Sequence, residues 1–275
     1  MASLSSFPSS PLGTTLAASL ASRETRLIRR QLPSPNAASL TDFTSNDYLS
    51  LSSSPLLRSH FLRKLADSAY VLGSGGSRLL INGYAHAQLE NRLKTFFSSE
   101  EALLFNSGYD ANVAFFECIP QPGDVVVYDE YIHASVHDGM KASRIRSEDR
   151  LRFRHNDVVD LKRVLRGVRE RLSMARASIF VAVESGYSMD GTVVPLREVC
   201  EVVEDANGYL IVDEAHATGL YGPQGKGRVA MAGLEDRVLA RLCTFGKALG
   251  ASGGESSSAL PVRDWLISLC MQLLY

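Results

Sequence analysis

A lysine set among small residues can serve as a reactive amine. This sequence holds one near its C-terminus, in Thr244-Phe245-Gly246-Lys247-Ala248-Leu249-Gly250. An amine is nucleophilic only when neutral, so Lys247 needs burial or a neighbouring cation to lower its pKa. Gly246, Ala248 and Gly250 leave room for a bulky adduct. Upstream, Val212-Asp213-Glu214-Ala215-His216 ends an apolar strand. A carboxylate there is only partly solvated and needs a partner. A protonated pyridine nitrogen supplies one: at about 3 Å and an effective dielectric of about 20, the attraction is roughly 5 kcal/mol before desolvation is subtracted. His216, three residues on, can hydrogen-bond a phenolic ring oxygen or a substrate. Taken alone, Lys247 reads as a surface lysine in a Gly-rich turn. Asp213 changes that reading, and the two together point to an aldehyde cofactor held as a Schiff base on Lys247.

Asp213 to His216 also spells a helicase box. That reading needs an upstream G-x-x-x-x-G-K-[ST] phosphate loop, whereas Gly225-Lys226 lies downstream, lacks the first glycine and is followed by Gly227. Ser107-Gly108-Tyr109 separates a strand from a helix N-terminus, where free N–H groups make a phosphate site; a simple tight turn accounts for the same residues. Thr244 can offer a hydroxyl to that phosphate. His133, in Tyr131-Ile132-His133-Ala134-Ser135, can stack on a cofactor ring or simply start a helix. Glu184 and Ser188 follow another strand and can face the same crevice. Gly73-Ser74-Gly75-Gly76 lets backbone approach a ligand or a neighbouring subunit, or is only a loop. No H-x-E or H-E-x-x-H zinc pattern occurs, so no metal site is expected.

These residues need a scaffold that brings strand ends together. Helical spacing covers Pro55 to Tyr70, with Leu56, Leu57, Phe61, Leu62, Leu65 and Ala69 on one face. A second helix runs from His86 to Phe97 with Leu89, Leu93 and Phe96 inward. Strand-like runs then alternate with helices: strand 102–105 and helix 110–118, strand 125–128 and a helix from about Ser135, strand 151–153 and helix 158–172. Strand 179–183 and helix 196–205 follow, then strands 210–212 and 238–244. This alternation predicts an α/β fold with a mostly parallel sheet covered on both faces. Sites in such sheets lie at the carboxyl ends of the strands. An amphipathic helix from about Leu16 to Arg30 and a linker from Leu32 to Ser39 precede the sheet, giving residues 1–45 as an N-terminal helix and linker and 46–275 as the main domain.

The 275 residues are 45% hydrophobic and 21% charged, ordinary for a globular protein, and a net charge of −1 gives no electrostatic case for nucleic acid or membrane partners. Cys118, Cys200, Cys243 and Cys270 form no C-x-x-C pair, which favours reduced thiols. The first forty residues, rich in Ser, Ala and Arg, fit either a frayed start or a mitochondrial presequence. A cytoplasmic location is expected, with mitochondrial or peroxisomal alternatives.

In order along the chain, Ser45-Asn46-Asp47-Tyr48-Leu49, Gly73 to Arg78, Asn106 to Tyr109, His133-Ala134-Ser135, His155-Asn156-Asp157, Ser188-Met189-Asp190-Gly191, Val212 to His216 and Thr244 to Lys247 resemble the α-oxoamine synthase family of pyridoxal-phosphate enzymes. The resemblance runs from about Leu16 to Tyr275. It implies the large domain of a fold type I pyridoxal-phosphate transferase with pyridoxal 5'-phosphate as cofactor. It also implies roles: Lys247 forms the Schiff base and later removes the amino acid's α-proton. Asp213 pairs with the pyridine nitrogen, and His133 stacks on the ring. His216 and Ser188 lie near its phenolic oxygen. Ser107, Gly108, Tyr109 and Thr244 hold the phosphate, and Asn46 positions the substrate carboxylate. The implied reaction condenses an amino acid, L-alanine in the biotin-type branch, with an acyl thioester such as pimeloyl-CoA or its carrier-protein equivalent, with loss of CO2. A homodimer is the implied assembly.

Two departures qualify these expectations. Family members continue into a small C-terminal domain, which is expected to be missing here. They also carry a hydrophobic strand where this sequence has Glu255-Ser256-Ser257-Ser258, poor filling for a buried strand, so the sheet beside Lys247 is expected to be badly formed. The alternatives are an inactive cofactor-binding remnant, a family branch using glycine or serine, and a non-enzymatic nucleotide-binding module.

Overall fold

Short runs of Val, Ile, Leu and Phe, each closed by turn formers, supply the strands of one sheet. The computed structural model describes residues 9–32, 41–69, 76–172 and 177–269. The chain divides into two units, Met1–Thr44 and Ser45–Tyr275. The first contains α1 (Pro11–Thr25). It overlaps the predicted Leu16–Arg30 span but starts earlier, because Ser10 caps it, accepting from Gly13 N at 3.0 Å, with Pro11 in its first turn, and it stops short of Arg30. Leu27, left-handed at φ 54°, lies just past its end. Most of the predicted linker, and residues 73–75 of the Gly-rich segment, lie outside the described residues.

The second unit runs α2 (Pro55–Ala66), α3 (Tyr84–Phe97), β1 (Glu101–Phe105), α4 (Gly108–Cys118), β2 (Val125–Asp129), α5 (Ala134–Ala142), β3 (Arg150–Phe153) and α6 (Val158–Leu172). It continues through β4 (Ile179–Glu184), α7 (Leu196–Asp205), β5 (Tyr209–Asp213), α8 (Arg228–Ala232), β6 (Ala240–Thr244), β7 (Gly254–Ser258) and α9 (Leu260–Leu269). The sheet order is β1-β7-β6-β5-β4-β2-β3. Only β7 runs against the others, pairing antiparallel with both β1 and β6.

Alternation along the central strands feeds two cores. Phe180, Ala182 and Ile211 join Ala111, Phe115, Val136 and Met140 on one face. Val181, Val183, Leu210 and Val212 join Leu161, Leu165, Val199 and Val203 on the other. Strands covered on both sides read as continuous apolar runs, as parallel sheets require.

Three expectations about packing need correction. The apolar face of α2 is not buried: Leu56 and Phe61 are 68% and 66% exposed. In α3, Glu90 and Phe97 turn inward while Leu89 is exposed. Glu90 is tolerated there because its Oε1 accepts from Arg78 at 2.9 Å and from Leu104 N at 3.0 Å.

The third correction concerns Glu255 to Ser258, which form a complete, buried interior strand. Its backbone is laddered on both sides, from Glu101↔Ser258 to Phe105↔Gly254 and from Ala240↔Ser258 to Thr244↔Gly254. Backbone pairing on both edges removes the main cost of burying this segment. Glycine is needed where α4 starts against the strand: a Cβ on Gly254 would sit 2.5 Å from Gly108 N, and one on Gly108 would sit 2.8 Å from Thr244 Cβ. Ser257 Oγ donates to Glu255 at 2.9 Å.

Burial pushes the Glu255 carboxyl up to about 7, against the Ser257 bond that lowers it. The folded chain therefore holds a proton there that the unfolded chain releases near 4.5. Between those values the unfolded state binds fewer protons, so stability falls as pH rises, by on the order of a few kcal/mol. Glu255→Gln is expected to flatten this slope, read as the urea midpoint at pH 4.5 and pH 7.5. An unchanged slope would contradict the assignment.

Among the described residues, no helix is long and apolar enough to cross a membrane. Cys118, Cys200 and Cys243 are buried, the last two as free thiols; Cys270 lies outside the described residues.

Candidate active site

Five parallel strands, β1, β2, β4, β5 and β6, deliver their C-terminal ends to one edge of the sheet. Asp213 ends β5 and Glu184 ends β4, directly opposite each other in the ladder. Thr244 ends β6, and Lys247 follows in the next turn. Ser107 caps α4 after β1, and His133 caps α5 after β2.

The half-buried Lys247 Nζ lies 2.9 Å from His216 Nε2, and His216 Nδ1 lies 2.8 Å from Tyr48 Oη. Tyr48 in turn donates to Asn46 Oδ1 at 2.9 Å. One tautomer satisfies all three contacts: Nδ1–H donates to Tyr48, and Nε2 accepts from the lysine. His216 is held down to about 4 by burial and then by the Lys247 charge, so its ring is neutral around pH 7. Burial likewise lowers Lys247, against the pull of Asp213 and Glu184. The lysine is thus moved toward the neutral form that a nucleophile requires.

Asp213 is 5% exposed. Its Oδ1 accepts from Ala215 N at 2.8 Å and its Oδ2 from Asn112 Nδ2 at 2.7 Å. Glu184 is raised to about 8, first by burial and then by the Asp213 charge. It therefore keeps its proton at pH 7 while its neighbour supplies the negative charge, the division expected when two carboxyls share a site. Ser188 N donates to Glu184 Oε2 at 3.3 Å, while the buried Oε1 has no partner. Burial also lowers His133, whose Nδ1 meets Ser135 Oγ at 2.7 Å.

At the far end of the crevice, Ser107 Oγ accepts from Asp110 N at 3.0 Å. The first N–H groups of α4 have no carbonyl of their own helix to bond, and the negligible side chain at Gly108 lets Thr244 approach them. Tyr109 sends its side chain outward: it is 44% exposed, bonds Asp138 through its hydroxyl and meets the His133 ring edge-on at 5.9 Å. Only its backbone is available to a phosphate. The Ser188 side chain is exposed, and its backbone makes the Glu184 bond.

The sequence reading assigned no role to two residues. Asn112 fixes the Asp213 carboxylate and was detectable as a lone buried amide in the apolar run Ala111 to Phe116. Tyr48 joins Asn46 to His216 across a separation that sequence spacing does not reveal.

A half-buried amine, a buried carboxylate, a neutral histidine and a Gly-lined helix N-terminus lie at or just beyond strand C-termini of an α/β sheet, an arrangement whose chemistry fits a carbonyl cofactor. The chain matches the aminotransferase class I and II family over residues 38–274 and belongs to it. Within that family it is similar to the α-oxoamine synthases. An 8-amino-7-oxononanoate synthase of Emericella nidulans is 47% identical over 96% of this chain and 66% of its own length. The aminoacyl transferase sphA of Byssochlamys spectabilis is 42% identical, covering 84% of this chain and 50% of its own. A solved serine palmitoyltransferase from S. paucimobilis, with a bound PLP–myriocin aldimine, superposes with a TM-score of 0.79 at 26% identity, over 97% of this chain and 68% of that one. The chain therefore spans between half and about two thirds of the length of these relatives.

Proposed function

We propose that this chain holds pyridoxal 5'-phosphate on Lys247 and serves a decarboxylating C-acyl transfer from an acyl thioester to an amino acid. The observation carrying this reading is the Lys247–His216 contact at 2.9 Å beside the Asp213–Glu184 pair. When bound, the cofactor supplies an electron-withdrawing ring that stabilises negative charge on the amino acid's Cα. Lys247 would hold the cofactor through Nζ and, once exchanged for the substrate's amine, would take the proton from Cα. His216 accepts a hydrogen bond from that amine and would offer a contact to the cofactor's phenolic oxygen. Asp213, held by Asn112 and Ala215 N, presents its charge to the ring nitrogen. His133 would stack on the ring, and Glu184 and Ser188 would line its edge. Ser107, Gly108, Tyr109 and Thr244 receive the phosphate through backbone N–H groups and hydroxyls. Asn46, tied to Tyr48, positions the substrate carboxylate. In the net reaction the Cα–carboxylate and thioester C–S bonds break and a Cα–acyl carbon bond forms, releasing CO2 and, with uptake of a proton, the thiol.

The relative at 47% identity favours L-alanine and a pimeloyl thioester, the biotin-type reaction. The sphA and serine palmitoyltransferase similarities support a second reading with a different amino acid. Glycine, serine and alanine as competing co-substrates separate the two. A homodimer and, given the buried free thiols, the cytoplasm are the favoured assembly and location.

The test is titration of the 275-residue chain with pyridoxal 5'-phosphate, followed by borohydride reduction and peptide mapping. A visible absorption band and a single reduced adduct on Lys247 are expected. Absence of any lysine adduct would sink the reading.

A further inference from the structure

Beyond the catalytic crevice, the turn after β4 is closed more firmly than a surface loop requires. It is pinned by the bridge Gly186↔Val193. Within it Tyr187 N donates to Thr192 O at 2.9 Å and Gly191 N to Tyr187 O at 3.0 Å. The same turn carries Ser188, whose N–H reaches Glu184. Its Gly186 packs against His216, with a hypothetical Cβ 3.9 Å from the histidine's own.

His155, in the β3–α6 loop, links this turn to the sheet. Its Nδ1–H donates to Asp129 Oδ1 at 2.8 Å, and its Nε2 meets Thr192 Oγ1 at 2.7 Å and Asp190 Oδ2 at 3.3 Å. Tyr131 stacks on one ring face at 4.3 Å and 18°, and Tyr187 meets the ring edge-on at 4.4 Å. Asp129, the last residue of β2, is fully buried and saturated: Oδ1 also accepts from Tyr131 N at 2.9 Å, and Oδ2 accepts from Asn156 N at 2.9 Å. Asn156 is left-handed at φ 52°, and its side-chain amide donates to Thr192 Oγ1 at 3.1 Å. One imidazole thus joins the end of β2 to both the base and the tip of the turn.

We propose that His155 is a positioning residue: through Asp129 and Thr192 it fixes the 186–193 turn so that Ser188 and Glu184 stand at the right place beside Lys247 and His216. For the identity of the ligand this rests on the cofactor reading above; for the geometry it does not. A fixed wall costs little reorganisation when the ligand arrives, which is how supporting residues contribute to affinity and orientation.

The experiment compares the 275-residue chain with His155→Ala, His155→Gln and Thr192→Val. Two readouts are used: amide hydrogen exchange at Ser188 without ligand, and the dissociation constant for pyridoxal 5'-phosphate. His155→Ala and Thr192→Val are expected to speed Ser188 exchange at least about tenfold while leaving β5 and β6 amides unchanged. They should also weaken cofactor binding by about tenfold, with His155→Gln intermediate. Thr192→Val removes one hydroxyl outside the sheet, so it retains a folded reference should His155→Ala unfold. Unchanged Ser188 exchange in Thr192→Val, or a uniform rise across the sheet, overturns the proposal. If the parent chain takes up no cofactor, the functional reading fails, and Ser188 exchange alone still decides the role of His155.

Discussion

Replacing Lys247 by alanine is expected to abolish covalent capture of pyridoxal 5'-phosphate, with no borohydride-fixed adduct anywhere on the chain. Turnover, where the assay supports it, should fall by at least about a thousandfold, because the proposed function makes this residue both the attachment point and the proton acceptor. The same variant makes a second, opposite prediction. Burial lowers the Lys247 pKa in the folded chain. At neutral pH the folded state therefore carries a desolvation penalty that the unfolded state does not. Removing the amine should leave stability equal or higher, read as an unchanged or raised urea midpoint. A variant that loses the adduct because it has unfolded would show the reverse.

Asp213→Asn is expected to have the next largest effect. The carboxylate is rigid, with one oxygen on Ala215 N and the other on Asn112. Its attraction for a protonated ring nitrogen at about 3 Å is roughly 5 kcal/mol at an effective dielectric of about 20. Since about 1.4 kcal/mol is a factor of ten, a hundred- to thousandfold loss in cofactor-dependent α-proton exchange remains after part of that attraction is offset by desolvation. The amide keeps the shape and one acceptor for Asn112, so the fold should persist. A second readout follows at Glu184, whose elevation to about 8 owes its second largest contribution to Asp213. In Asp213→Asn that carboxyl should titrate lower, followed by carbon-detected NMR of labelled glutamate. Exchange within threefold of the parent, with Glu184 unmoved, would remove Asp213 from its assigned role.

Much of the central sheet was legible in the sequence because its strands are apolar on both faces and local pattern suffices to find them. The runs at 125–128, 179–183 and 210–212 each lie within an observed strand. Glu184, Asp213 and Thr244 fall at strand ends for the same reason: a polar residue terminating an apolar run marks where the chain leaves the core. What resisted was non-local. Glu255 to Ser258 looked unfit for burial because sequence shows side chains and not the two ladders that satisfy the backbone. The inward face of α3 was misread because Glu90 looks like a surface residue until Arg78 and Leu104 N meet it. The links through Asn112 and Tyr48 join residues far apart in the chain.

The reversed strand β7 also sets an order of events. It enters between β1 and β6, so Glu101 must wait for Ser258 before either edge is closed. During synthesis the first strand of the sheet and the sixth are both made before the strand that joins them. Until then each presents unpaired backbone, the kind of edge that invites pairing with another chain. Pairings of such long sequence separation form slowly. The strand that brings Gly254 against the start of α4 is thus also the last strand of the described sheet to be made. The crevice matures only after most of the sheet is made, and a chaperone that shields the waiting edges would act on yield without touching the finished site.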